Sequence, residues 1–121
     1  AAARRALEAG AAAVQVGTSL LRCPEAGTSA THRGALADPS FSGTLVTRAY
    51  TGRPARALTT RFAVEHGPAA PAAYPEVHHL TRPMRVAASA AGDTDRVHLW
   101  AGVHFRRAEA KPAADVVRSF V

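Results

Sequence analysis

The sequence contains no isoleucine and no asparagine, and Lys111 is its single lysine against many arginines. The skew touches every part of the chain, which points to genomic compositional bias rather than to one specialised segment. One cysteine, Cys23, excludes an internal disulfide framework and suits a reducing compartment, so a cytoplasmic location is expected. Only the neighbouring Arg22 would favour a reactive thiolate, and the expected role of Cys23 is a small, partly buried side chain. No stretch approaches the roughly 20 apolar residues of a membrane span. The alanine-rich start is broken by Arg4, Arg5 and Glu8, unlike the apolar region of a signal peptide. Aromatics make up 6% of the chain and are scattered, so they form no RNA-stacking signature. The net charge of +6 comes from arginines spread from Arg4 to Arg118 with acids between them. A solvated basic surface is therefore expected in preference to a nucleic-acid face.

What remains is a chain of 121 residues, nearly half of them hydrophobic and many of those alanine. That suffices for one compact unit with a modest core. Residues 1–9 are strong helix formers, with Gly10 as a C-terminal stop and no capping residue ahead of them. The chain thus reads as opening inside an element. Ala13-Val14-Gln15-Val16 is a short run ending at Gly17-Thr18, which suits a strand buried on both faces. A helix is expected near 29–37, a strand over 44–50, and a helix over 55–66 after the turn at Thr51-Gly52-Arg53-Pro54. Three prolines in 67–75 make a semi-rigid connector. A long helix is expected over 76–91, kinked at Pro83 or truly starting near Thr81. Leu99-Trp100-Ala101-Gly102 reads as a loop or short extended piece, and a last helix starts near Pro112.

The segment with chemical content is Gly10 to Thr18. A buried strand that delivers Gly-Thr to a helix start makes an anion site, because the first helical N–H groups lack internal partners. Glycine admits a phosphate close to the backbone, and the threonine hydroxyl can donate one further bond. The loops after the last strands of (β/α)₈ barrels often bind phosphate in this way. Gly-Thr alone also serves as an ordinary strand-to-helix turn.

A longer pattern surrounds it. Gly10-Ala11, Val14-Gln15-x-Gly17-Thr18, Leu21-x-x-Pro24-Glu25, Val46 to Arg56, Arg61-Phe62, Tyr74-Pro75, Gly92-Asp93 and Leu99 to Gly102 follow one another across nearly the whole chain. In that order they resemble the nitronate monooxygenases, formerly called 2-nitropropane dioxygenases. The resemblance implies an α/β fold, the C-terminal part of an FMN-dependent (β/α)₈ barrel that carries a mostly helical insertion after strand 8. It implies oxidation of alkyl nitronates, such as propionate 3-nitronate, by O₂ to a carbonyl product and nitrite. Residues 1–37 would be the end of the flavin-binding barrel, 38–95 a cap over its mouth, and 96–121 the return loop and closing helix. Gln15, Val16, Gly17 and Thr18 would face the flavin phosphate. The family's catalytic histidine would lie upstream, so no histidine here inherits that role. The family's Trp-Ala-Gly-Gln-Gly-Tyr loop becomes Trp100-Ala101-Gly102-Val103-His104-Phe105, replacing an amide, a glycine and a phenol.

Two alternatives stand beside this reading. Flavin-dependent enoyl-acyl-carrier-protein reductases resemble the Val-Gln-x-Gly-Thr segment but use NAD(P)H, and the blocks from Thr51 to Arg61 and Tyr74 to Gly102 favour the nitronate enzymes. A small basic nucleic-acid-binding module is the reading of a different class. Neighbouring His78 and His79 point about 100° apart on a helix, so a shared metal is not expected and a surface patch at the helix start is. Arg53 and Arg56 would either bind an anion or pair with Glu65 and other acids. Trp100 is expected to be a packed anchor. No membrane and no nucleic-acid partner is expected, and oligomeric state is not encoded in any recognisable pattern.

Overall fold

In the computed structural model, residues 2–120 are described. Helix α1 (Ala2–Glu8) ends where expected. Gly10 takes φ of 98°, Gly10 N–H bonds the Leu7 carbonyl, and Ala11 N–H reaches back to Ala6 at 3.0 Å. This double closure of the last turn needs a left-handed residue, which glycine supplies without a Cβ penalty. After it the expectation fails. Residues 13–17 lie in no regular element, and Ala13, Val14 and Gln15 are exposed. A strand exists only where a neighbour completes its hydrogen-bond ladder, and no described residue pairs with this segment.

A short 3₁₀ turn (Thr18–Leu20) follows, then α2 (Ala30–Ala37), whose cap Ser29 accepts from His32 N–H at 3.2 Å. Strand β1 (Thr44–Thr47) pairs antiparallel with β2 (Ala55–Leu58), in the register Thr44 to Leu58 and Thr47 to Ala55. The helix expected over 55–66 is therefore divided. Its first part is β2, held by β1 on one side, and its second is α3 (Arg61–His66), capped by Thr60. Alanine and arginine are good helix formers, but ladder bonds and burial of Ala57 and Leu58 override that weak preference. On the other edge of β2, Ala57 bridges Trp100. Leu58 N–H bonds Leu99 O at 2.9 Å and Ala101 N–H bonds Arg56 O at 3.1 Å, so Leu99–Ala101 acts as a third, brief strand.

Gly52, in the hairpin connection, has φ of 79°, and a Cβ there would collide with the Ala73 carbonyl. The close crossing of the 48–54 turn and the proline-rich connector depends on that missing side chain. Helix α4 (Glu76–Ala91) runs through Pro83 as one element and stops at Gly92, φ 71°. No restart at Thr81 occurs, because Val77, Arg85 and Ala88 anchor both halves of the helix on one buried face. The second 3₁₀ turn (Phe105–Arg107) leads to α5 (Ala113–Arg118), starting near Pro112 as expected. Leu36, Phe41, Leu58, Val97, Leu99 and Phe105 form the centre of the core, joining α2, β2, α4 and the segment 97–105.

Candidate functional site

The first region of interest is the segment that the sequence marks for phosphate. The main-chain N–H groups of Gln15, Val16, Gly17, Thr18 and Ser19 find no acceptor among the described residues. A Cβ built on Gly17 meets nothing within 4 Å, so its backbone is approachable. Thr18 Oγ1 accepts from Gly102 N–H at 2.8 Å, which ties the segment to the Leu99–Gly102 strip and leaves the hydroxyl hydrogen free to donate. The four residues do not share one cavity. Gln15 and Val16 line a cleft of about 580 Å³ with α1 and α5, whereas Gly17 lines a second hollow, and Thr18 acts as the strut between segment and strip.

That second hollow, about 640 Å³, lies between the first 3₁₀ turn, α2, α4 and the strip 97–100. At its wall sits Arg85, only 5% exposed. Its Nε donates to Thr81 Oγ1 at 3.1 Å, Nη1 to His98 Nδ1 at 3.2 Å, and Nη2 to His78 Nδ1 at 3.1 Å and His78 O at 2.9 Å. These bonds define tautomers, since a ring nitrogen that accepts from a guanidinium carries no proton. Burial first, then the positive Arg85, pushes His98 down to about 4. Burial and Arg85 also lower His78, and burial lowers His32 against the opposing bond from its Nε2 to Trp100 O at 3.1 Å. Beneath them Tyr50, fully buried, bonds Thr60 Oγ1 at 2.6 Å, and burial pushes its phenol up to about 12. The phenol is therefore a structural hydrogen-bonding group at neutral pH.

Several expectations need correction. His78 is not part of a surface patch: it is half-buried and serves Arg85, while His79 stays exposed. Of the two readings of Arg53 and Arg56, the pairing with Glu65 or another acid is not made among the described residues. Arg56 Nη1 donates to Thr44 Oγ1, Arg53 lies 5.9 Å from the Tyr74 ring centre, and Glu65 pairs with Arg61. Trp100 packs edge-on to Tyr50 at 5.8 Å, as an anchor does. Cys23 is buried. Glu25, part of the Pro-Glu motif, caps α5 by accepting from Ala113 N–H at 3.1 and 3.2 Å. Sequence reasoning missed Arg85, yet a signal existed: Val77, Thr81, Arg85 and Ala88 recur at helical spacing, which puts an arginine on the buried face.

Comparison with known proteins decides the lineage, since the nitronate monooxygenase family model matches residues 2–121. The chain belongs to the nitronate monooxygenase family. It is 40% identical over 121 residues to the nitronate monooxygenase of Pseudomonas aeruginosa, covering 98% of this chain and 34% of that protein. A probable nitronate monooxygenase of Staphylococcus aureus is 33% identical over 116 residues, covering 93% of this chain and 32% of its own length. The solved structure of nitroalkane oxidase from Streptomyces ansochromogenes superposes with a TM-score of 0.94 at 51% identity, covering 98% of this chain and 34% of that one. The chain thus spans about a third of the length of these relatives. Its relatives are oxidoreductases of a TIM-barrel group, and its own fold is the matching α/β part. Among the described residues no helix is long and apolar enough to cross a membrane.

Proposed function

We propose that this chain is the C-terminal part of an FMN-dependent nitronate monooxygenase that oxidises alkyl nitronates, such as propionate 3-nitronate, with O₂ to a carbonyl compound and nitrite. The observation that carries the reading is the family match along the whole chain together with a structural likeness of TM-score 0.94. Family membership favours the nitronate enzymes over the enoyl reductase and over a basic nucleic-acid module. In this reading residues 1–37 finish the flavin-binding barrel, 38–95 cover its mouth and 96–121 close it.

Gln15, Val16, Gly17 and Thr18 fit a phosphate-bearing cofactor. Unpaired backbone N–H groups, an open glycine and a free hydroxyl hydrogen are the donors an anionic phosphate requires. When bound, the flavin supplies the two-electron chemistry between substrate and oxygen. The contribution of this chain is to hold the phosphate end and to wall the pocket. Thr18 receives Gly102 N–H, so the Leu99–Gly102 strip and the phosphate segment keep a fixed relation. Residues elsewhere in the intact protein supply proton transfer.

The test is the anaerobic visible spectrum of the intact protein before and after addition of propionate 3-nitronate. Flavin bands should bleach, then return when oxygen is admitted with release of nitrite. Bands indifferent to nitronate but bleached by NAD(P)H would replace this reading with the reductase.

A further inference from the structure

A buried arginine with no acidic partner calls for explanation. Taking charge out of water is costly, and proteins ordinarily place a carboxylate beside a buried guanidinium. Around Arg85 no such group stands: among the described residues it makes no ion pair, and the hollow it lines contains no aspartate or glutamate. Its bonds go to neutral acceptors only, namely Thr81, His98 and the ring and carbonyl of His78. Those bonds consume four of its five N–H groups, leaving one hydrogen on Nη1. His98 accepts through Nδ1, so its neutral ring carries the proton on Nε2, which has no partner among the described residues. Both residues face the same hollow.

We infer that the hollow walled by Arg85 and His98 binds a small monovalent organic oxyanion, and, if the nitronate reading above holds, that this anion is the alkyl nitronate. Charge and shape both argue for it. The histidines are neutral near pH 7, so the cavity carries the single positive charge of Arg85, which matches a monoanion. In the proposed function a phosphate dianion falls instead to the backbone N–H groups of Gln15–Thr18, which have no acceptor among the described residues. Leu20, Leu21, Val86, Val97 and Trp100 form the apolar part of the remaining wall, beside the neutral polar side chains of Thr28, Ser29, His32 and Ser89. A cationic donor at one end and hydrocarbon along the sides is what a charged head with an alkyl tail needs. Arg85 would then be a binding and specificity residue, and Thr81, His78 and His98 would hold its plane.

Isothermal titration of the intact flavoprotein with propionate, an unreactive carboxylate, tests this without turnover. Wild type should bind propionate, and Arg85→Met should weaken binding by about 10- to 100-fold, the scale of a lost charged hydrogen bond, with Arg85→Lys between the two. Val86→Glu covers the case in which Arg85→Met does not fold. Val86 is 60% exposed at the mouth of the hollow, and a carboxylate there should compete with the ligand and weaken it several-fold. Undetectable binding to wild type, or affinity unchanged by Val86→Glu, overturns the inference. So does displacement of propionate by inorganic phosphate together with flavin loss in Arg85→Met, which would make this the cofactor's phosphate site. Arg85-dependent propionate binding in a protein that does not oxidise nitronates would sink the proposed function and leave the oxyanion site standing.

Discussion

At the scale of single residues, the chemistry of this chain is set by burial without counter-charge. His98 illustrates the consequence for pH. Its folded value of about 4 lies below the ~6.5 of an exposed imidazole. Above 6.5 both states are neutral and nothing changes. As pH falls from 6.5 toward 4 the unfolded chain takes up a proton that the folded one refuses, so stability declines across that window. His78 and His32, also lowered, act in the same direction. The melting temperature of the intact protein should therefore drop between pH 7 and 4.5. His98→Gln, which keeps an acceptor for Arg85 but cannot titrate, should flatten that slope; equal slopes in the two proteins would contradict the assignment. Arg85 itself was invisible to a search for motifs because it belongs to no charge run. Its position on the α4 periodicity was readable, whereas the absence of an acid around it depends on residues from 17 to 100 meeting in space.

At the scale of elements, caps and stops were legible because they are local. Gly10, Ser29 and Gly92 each perform the terminating or initiating role that their types suggest. The cap of α5 is different: Glu25 reaches Ala113 across 88 positions of sequence. Removing it as Glu25→Ala should cost about 0.5–2 kcal/mol of local helix stability. Hydrogen exchange of the Ala113–Arg118 amides should then quicken by about 2- to 30-fold, the same energy expressed as an opening equilibrium. Exchange unchanged in α5 would mean that Glu25 does not cap it. The hairpin shows the opposite limit. Ala55–Leu58 carries helix-forming residues yet lies between β1 and Leu99–Ala101, because partners on both edges complete its ladder.

At the scale of the molecule, the segment 13–17, read from the sequence as a buried strand, is the informative part. Residues 13–17 lack a ladder, and Val14 is 37% exposed. A phosphate-binding loop needs its flanking strand held rigidly, since donors that must first be ordered lose binding free energy to entropy. The 121-residue chain on its own should thus retain no flavin through size-exclusion chromatography and show no nitronate oxidation. A flavin-coloured, monodisperse peak from this chain alone would refute that expectation.

The sequence by itself determined the lineage and the glycine stops at Gly10 and Gly92, because these are carried by residue types at short, ordered spacing. Tertiary structure alone decided that Ala55–Leu58 is a strand, that His78 serves a buried arginine, and that Glu25 caps a distant helix. Each of these depends on which surfaces meet, and the free energy of a ladder, a cap or a buried charge comes from a partner that local sequence does not specify.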